Sequence, residues 1–65
     1  MVGILTRRQV EIIELIARGF ANKQIAVELH ISNCTVKTHL SGIMERIEAS
    51  NRAHIVYLFY VMGVR

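Results

Sequence analysis

Between Asn22 and Ile47 the chain reads N-K-Q-I-A-V-E-L-H-I-S-N-C-T-V-K-T-H-L-S-G-I-M-E-R-I, and the spacing of its apolar residues admits few folds. On a helical wheel Val36, Leu40, Ile43 and Ile47 fall on one narrow stripe, the pattern of a helix buried along a single side. The opposite side carries no such stripe. Cys34, Thr38 and Ser41 project there with Lys37 at their flank, and no acidic residue lies between Glu28 and Glu45. A shorter helix precedes this one, with Asn22 as its expected N-cap, Ile25, Ala26 and Leu29 facing inward, and Gln24 and Glu28 facing water. The two helices meet at a tight turn, His30-Ile31, after which Ser32 caps the longer helix. Histidine is among the residues that tolerate the positive φ such a turn demands.

A polar, base-sized face without carboxylates is what a helix entering the DNA major groove needs, because an acid beside phosphates would be repelled. The stretch therefore reads as a helix-turn-helix whose longer helix is the recognition helix. Glu45 and Glu48 share its outward side, so only the first three turns are expected to approach a duplex.

The remaining residues support an all-α chain. There is no proline, there are only four glycines in 65 residues, and no second alternating segment exists to pair with a strand. Thr6-x-x-Gln9 has the form of a capping box. It follows a short apolar lead-in, Met1 to Leu5, and opens a first helix with Gln9, Ile12, Ile13, Ile16 and Phe20 on one side and Arg7, Glu11, Glu14 and Arg18 on the other. Gly19 closes that helix. The third helix is expected to reach about Glu48. Gly42 inside it costs roughly 1 kcal/mol relative to alanine, and two readings stand: a close approach to DNA, or a tolerated glycine. Ala49-Ser50-Asn51 breaks the pattern, and Ser50 or Asn51 caps a fourth helix from Arg52 to about Met62. That helix is apolar all the way round, more than a small core can cover. Its outer residues, Tyr57, Leu58 and Val61, are expected to form a homodimer interface with a second copy, and Arg52 to anchor it to the rest.

A chain this short buries only about 60% of its unfolded surface and leaves little room for a catalytic cleft. Residues 1–65 are expected to form one domain. Eight Lys/Arg against five acidic residues, all glutamate, leave a net charge of +3, which permits nucleic-acid binding without demanding it. With no aspartate and no motif to activate a serine or histidine, an enzyme is not expected. His30, Cys34 and His39 straddle the turn and point apart, so neither a metal nor another cofactor is expected. A single cysteine fits a reducing cytoplasm, and the small Cys34 side chain is expected near bases rather than as a redox sensor. No signal peptide is evident. The longest apolar run, Ile55 to Met62, is far short of the ~20 residues that span a bilayer, so no membrane partner is expected.

Nearly the whole chain resembles the LuxR-type helix-turn-helix DNA-binding domain found at the C-terminus of NarL/FixJ response regulators and quorum-sensing activators. The resemblance runs from L-T-R-R-Q at Leu5 through A-R-G-F-A-N-K-Q-I-A and I-S-N-C-T-V-K-T-H-L to N-R-A-H at Asn51. It implies a four-helix domain, a third helix in the major groove, a fourth helix that dimerises, and regulation of transcription at paired half-sites. It further implies control by an N-terminal receiver or ligand-binding domain that this chain lacks, and RNA polymerase as a candidate partner. By position, the family's base-reading residues fall on Lys37, Thr38 and Ser41, in agreement with the wheel. Its phosphate contacts fall on Asn22, Lys23, Thr35 and His39, although His39, at the edge of the buried stripe, suits a packed core residue equally well. Gln9, Val10, Asn33-Cys34 and Gly42 depart from the family pattern, which bears on target and affinity rather than on class. Two rivals have a basis in the same residues. One is a sigma-factor-like promoter-recognition domain, and the other is a small helical protein-interaction module that docks through its fourth helix.

Overall fold

The computed structural model describes residues 3–65; the expected lead-in residues Met1 and Val2 lie outside the described residues. Four helices follow in order, α1 (Arg7–Ala17), α2 (Asn22–Leu29), α3 (Asn33–Ile47) and α4 (Arg52–Tyr60), and no strand occurs among the described residues. Every pair of helices packs together except α2 and α4. The core is built from the apolar stripe of each: Ile12, Ile13 and Ile16 of α1, Ile25 of α2, Val36, Leu40, Ile43 and Ile47 of α3, and Ile55 and Phe59 of α4. Leu15 is buried with them, a position the α1 periodicity did not single out.

The helix ends follow from local hydrogen bonding. At α1 the Thr6 hydroxyl accepts from the Gln9 N–H at 3.1 Å while Gln9 Oε1 accepts from the Thr6 N–H at 2.9 Å, so the capping box is complete. Ser32 Oγ accepts from the Thr35 N–H at 3.0 Å, and Asn51 Oδ1 accepts from the His54 N–H at 2.9 Å. His30 takes the left-handed conformation, with φ 58° and ψ 43°.

Three boundaries differ from the sequence reading. The N-cap of α2 is Ala21 rather than Asn22. Ala21 has no side-chain acceptor to offer, and its own N–H donates to Gln24 Oε1 at 2.7 Å; Asn22 is the first helical residue and is turned to Arg52. Helix α3 stops at Ile47 because Glu48 adopts φ 58°, a left-handed turn that lets the Ala49 N–H reach Met44 O at 2.9 Å. Helix α4 stops at Tyr60 instead of Met62. Gly63, at φ 73°, allows the chain to fold back, so that the Val64 N–H donates to Leu58 O and the Arg65 guanidinium lies 4.5 Å from the centroid of the Phe59 ring. Arg65 O in turn accepts from the Leu5 N–H at 3.0 Å, and Arg46 of α3 donates to Ile4 O at 3.0 Å. The lead-in to α1 is thus held by both the recognition helix and the C-terminal turn.

Gly42 is half-buried on the side of α3 nearest α1, where an added Cβ would meet only Gln9 Nε2, at 3.6 Å. That is ordinary contact, which favours the tolerated glycine over a close approach to DNA. Gly42→Ala should therefore stabilise the domain by up to about 1 kcal/mol, a rise in Tm on the order of 4–8 °C. Thermal unfolding checks this, and a lowered Tm would show that the flank of α3 has no room for a methyl group.

Candidate nucleic-acid interface

Burial of Val36, Leu40, Ile43 and Ile47 sets the rotation of α3 about its own axis, because these side chains lie in the core that α3 shares with α1, α2 and α4. The remaining face is then obliged to look outward. Lys37, Thr38 and Ser41 are all exposed, as is Cys34 one turn earlier. The four share one face whose nearest acid on α3 is Glu45. Among the described residues the one ion pair joins Arg8 and Glu11, so neither Lys37 nor Lys23 is neutralised by a carboxylate. The Thr38 hydroxyl donates back to Cys34 O at 3.1 Å, which leaves its lone pairs and its methyl group as the surface it turns outward.

The expected phosphate contacts divide between two elements. Thr35 is exposed in the first turn of α3, its hydroxyl 2.8 Å from Ser32 Oγ. His39 is half-buried on the same helix, between the core stripe and the outer face. Lys23 is exposed in the first turn of α2. Because Ala21 supplies no capping oxygen, the N–H groups that open α2 have no side-chain acceptor, and with the helix dipole behind them they are suited to an anion. Asn22 is half-buried, and its Oδ1 is committed to Arg52 Nη1 at 2.7 Å. Its contribution to a phosphate is thereby limited to its amide nitrogen and its backbone N–H.

Of the expected dimer residues, Tyr57 and Val61 are exposed, as are the neighbouring Tyr60 and Met62, each at least half exposed. Leu58 differs: it is half-buried and packs against the core. Two features escaped the sequence reading. Gln24 closes half of a capping box that has no serine or threonine to advertise it, and Val27 stands 71% exposed on α2. Among the described residues no group of three His, Cys, Asp or Glu side chains could hold a metal ion, and no helix is long and apolar enough to cross a membrane.

Residues 3–59 match the family described as bacterial regulatory proteins, luxR family. The response regulator protein VraR of Staphylococcus aureus and that of Staphylococcus epidermidis are each 44% identical to this chain over 57 residues, which is 86% of this chain and 27% of theirs. Among solved structures, the response regulator ChrA of a heme-sensing two-component system superposes with a TM-score of 0.86 at 34% identity, over 91% of this chain and 29% of that one. The chain therefore spans less than a third of the length of these relatives.

The first turn of α3 hangs on one hydroxyl. Ser32→Ala removes the acceptor for the Thr35 N–H and should lower stability by about 1 kcal/mol; urea unfolding with an unchanged midpoint would contradict that cap.

Proposed function

The chain belongs to the luxR family of bacterial regulatory proteins, and with that as premise we propose that it binds double-stranded DNA sequence-specifically as the DNA-contacting part of a transcription regulator. In this reading α3 enters the major groove, and a dimer formed through α4 occupies paired half-sites. The domain acts in the cytoplasm, in concert with RNA polymerase and under a regulatory domain carried elsewhere in the full protein.

The observation that carries the proposal is the division of α3 into two faces: Val36, Leu40, Ile43 and Ile47 buried, and Lys37, Thr38 and Ser41 exposed with no carboxylate beside them. Lys37 has the reach and the donors to meet guanine O6 and N7, while Thr38 and Ser41 are short enough to let the helix backbone sit close to the bases. Asn22, Lys23, Thr35 and His39 lie on the two helices of the helix-turn-helix and would hold its register on phosphates, contacts that position without reading sequence. The outward apolar surface of Tyr57, Tyr60, Val61 and Met62 supports the dimer. The same surface is what favours the second reading, a protein-interaction module with incidental basic charge.

Binding to random duplex DNA at two salt concentrations separates the two readings, because counterion release gives only a DNA binder a steep salt slope. The proposal predicts that slope; a flat response would support the interaction module. On a site selected from random sequences, Lys37→Ala should weaken binding by about 1–3 kcal/mol and relax preference at one base pair, whereas Lys23→Ala should weaken all sequences alike and flatten the salt slope. Unchanged affinity of Lys37→Ala would remove it from the base-reading set. For the dimer the clean probe is Val61→Glu, since Leu58→Glu would also burden the core. Sedimentation should show dimers weakened by Val61→Glu, and a monomer both free and on paired half-sites would end the dimer proposal.

A further inference from the structure

The two helices that share no packing contact, α2 and α4, are joined by one side chain. Arg52, the first residue of α4, donates from Nη1 to Asn22 Oδ1 at 2.7 Å and from Nη2 to Phe20 O at 2.6 Å. Both bonds are partly buried, both are charge-assisted, and they use the two terminal arms of a planar fork. The guanidinium thus grips the chain immediately before α2 and the first residue of α2 together.

This grip has a chemical consequence for Asn22. A guanidinium has donors and no acceptor, so the amide atom facing Nη1 must be the oxygen. The nitrogen is then forced onto the other branch of the amide. Nδ2 has no partner among the described residues, and no buried side-chain nitrogen or oxygen there is left without one, so Nδ2 reaches solvent. An asparagine free to turn over would present oxygen or nitrogen to an approaching phosphate, the first repelled and the second bound. Arg52 removes that choice. It leaves a fixed N–H donor at the opening of α2, on the first helical residue and next in sequence to the exposed Lys23.

We infer that Arg52 is a positioning residue for DNA binding: it locks the Asn22 amide with its nitrogen outward, so that α2 meets phosphate with donors only. The inference rests on the proposed phosphate contact of Asn22. Because Arg52 opens α4, it also ties the helix of the proposed dimer surface to the helix that would grip the backbone.

A double-mutant cycle on the 65-residue chain, read as affinity for a random-sequence duplex at fixed low salt, tests this. Asn22→Ala should weaken binding on the order of 10-fold, the scale of a charge-assisted hydrogen bond. Arg52→Met, which keeps an unbranched stem and removes every donor, should weaken it comparably. In the Asn22→Ala background Arg52→Met should then add no more than about 2-fold, the remnant of one through-space charge near a surface. Thermal unfolding of each variant shows the fraction folded at the binding temperature. If Arg52→Met does not fold, Arg52→Lys takes its place, since one ammonium keeps the charge but cannot reproduce the two-armed grip, and the same non-additivity is expected.

Asn22→Asp gives an independent reading. It keeps an acceptor for Arg52 and so should retain stability, yet it turns a carboxylate oxygen toward the phosphates and should bind DNA more weakly than Asn22→Ala. Fully additive losses, or Arg52→Met that melts earlier but binds DNA with unchanged affinity once folded, would overturn the positioning role. If instead Asn22→Ala and Asn22→Asp both bind as tightly as the parent, the Asn22 contact itself is wrong and the inference falls with it.

Discussion

The clamp on one side of α3 is the constraint from which the rest follows. Val36 and Ile43 are fully buried and Leu40 and Ile47 nearly so, and a helix held by four such residues cannot rotate without exposing them. Truncating Leu40, Ile43 or Ile47 to alanine would cost about 2–5 kcal/mol, a large share of what a domain this small can muster. The helix is therefore pinned in azimuth, and whatever occupies its other side is displayed as a rigid surface. That the displayed residues are Cys34, Lys37, Thr38 and Ser41 gives the surface its chemistry.

Both ends of α3 are set by tight backbone devices. His30 before it and Glu48 after it are left-handed without being glycine, and each such residue costs roughly 1 kcal/mol or more. A domain carries that strain where the surrounding packing over-determines the turn. Here the turns aim α3 against α2 at one end and release the chain toward α4 at the other. Arg46 and Leu5 then fasten the lead-in of α1 to the end of α3 and to the C-terminal turn.

Much of this was legible in the residues because the relevant physics is local. The α3 stripe, the Thr6 and Gln9 box, the Ser32 cap and the His30 turn each depend on neighbours within a few positions, and each stands where the pattern placed it; of the two caps the pattern left open for α4, Ser50 and Asn51, the helix uses Asn51. Arg52 as an anchor was legible as well, since an arginine at the head of an apolar helix has few other uses, but its partners were not. Phe20 O and Asn22 lie 32 and 30 residues away along the chain, and nothing in their spacing announces the pairing. The same long-range bond explains why Asn22 does not cap α2, and a fold-back through Gly63 explains the early end of α4. Leu58 is half-buried for a related reason: apolar periodicity in a helix that is apolar all round does not say which side the core selects. The face proposed to read bases was visible from its lack of carboxylates. Which of its residues touch bases depends on the duplex, which the chain alone does not contain.

In the proposed function DNA is met by the outer face of α3 rather than by any other surface. A titration of the isotope-labelled domain with a short duplex, followed amide by amide in NMR spectra, locates the contact. The largest shift changes are expected on residues 33–41 and 22–24, while the buried α1 residues Ile12 and Ile13 stay nearly still. Saturable DNA binding with the amides of residues 33–41 unmoved would contradict it.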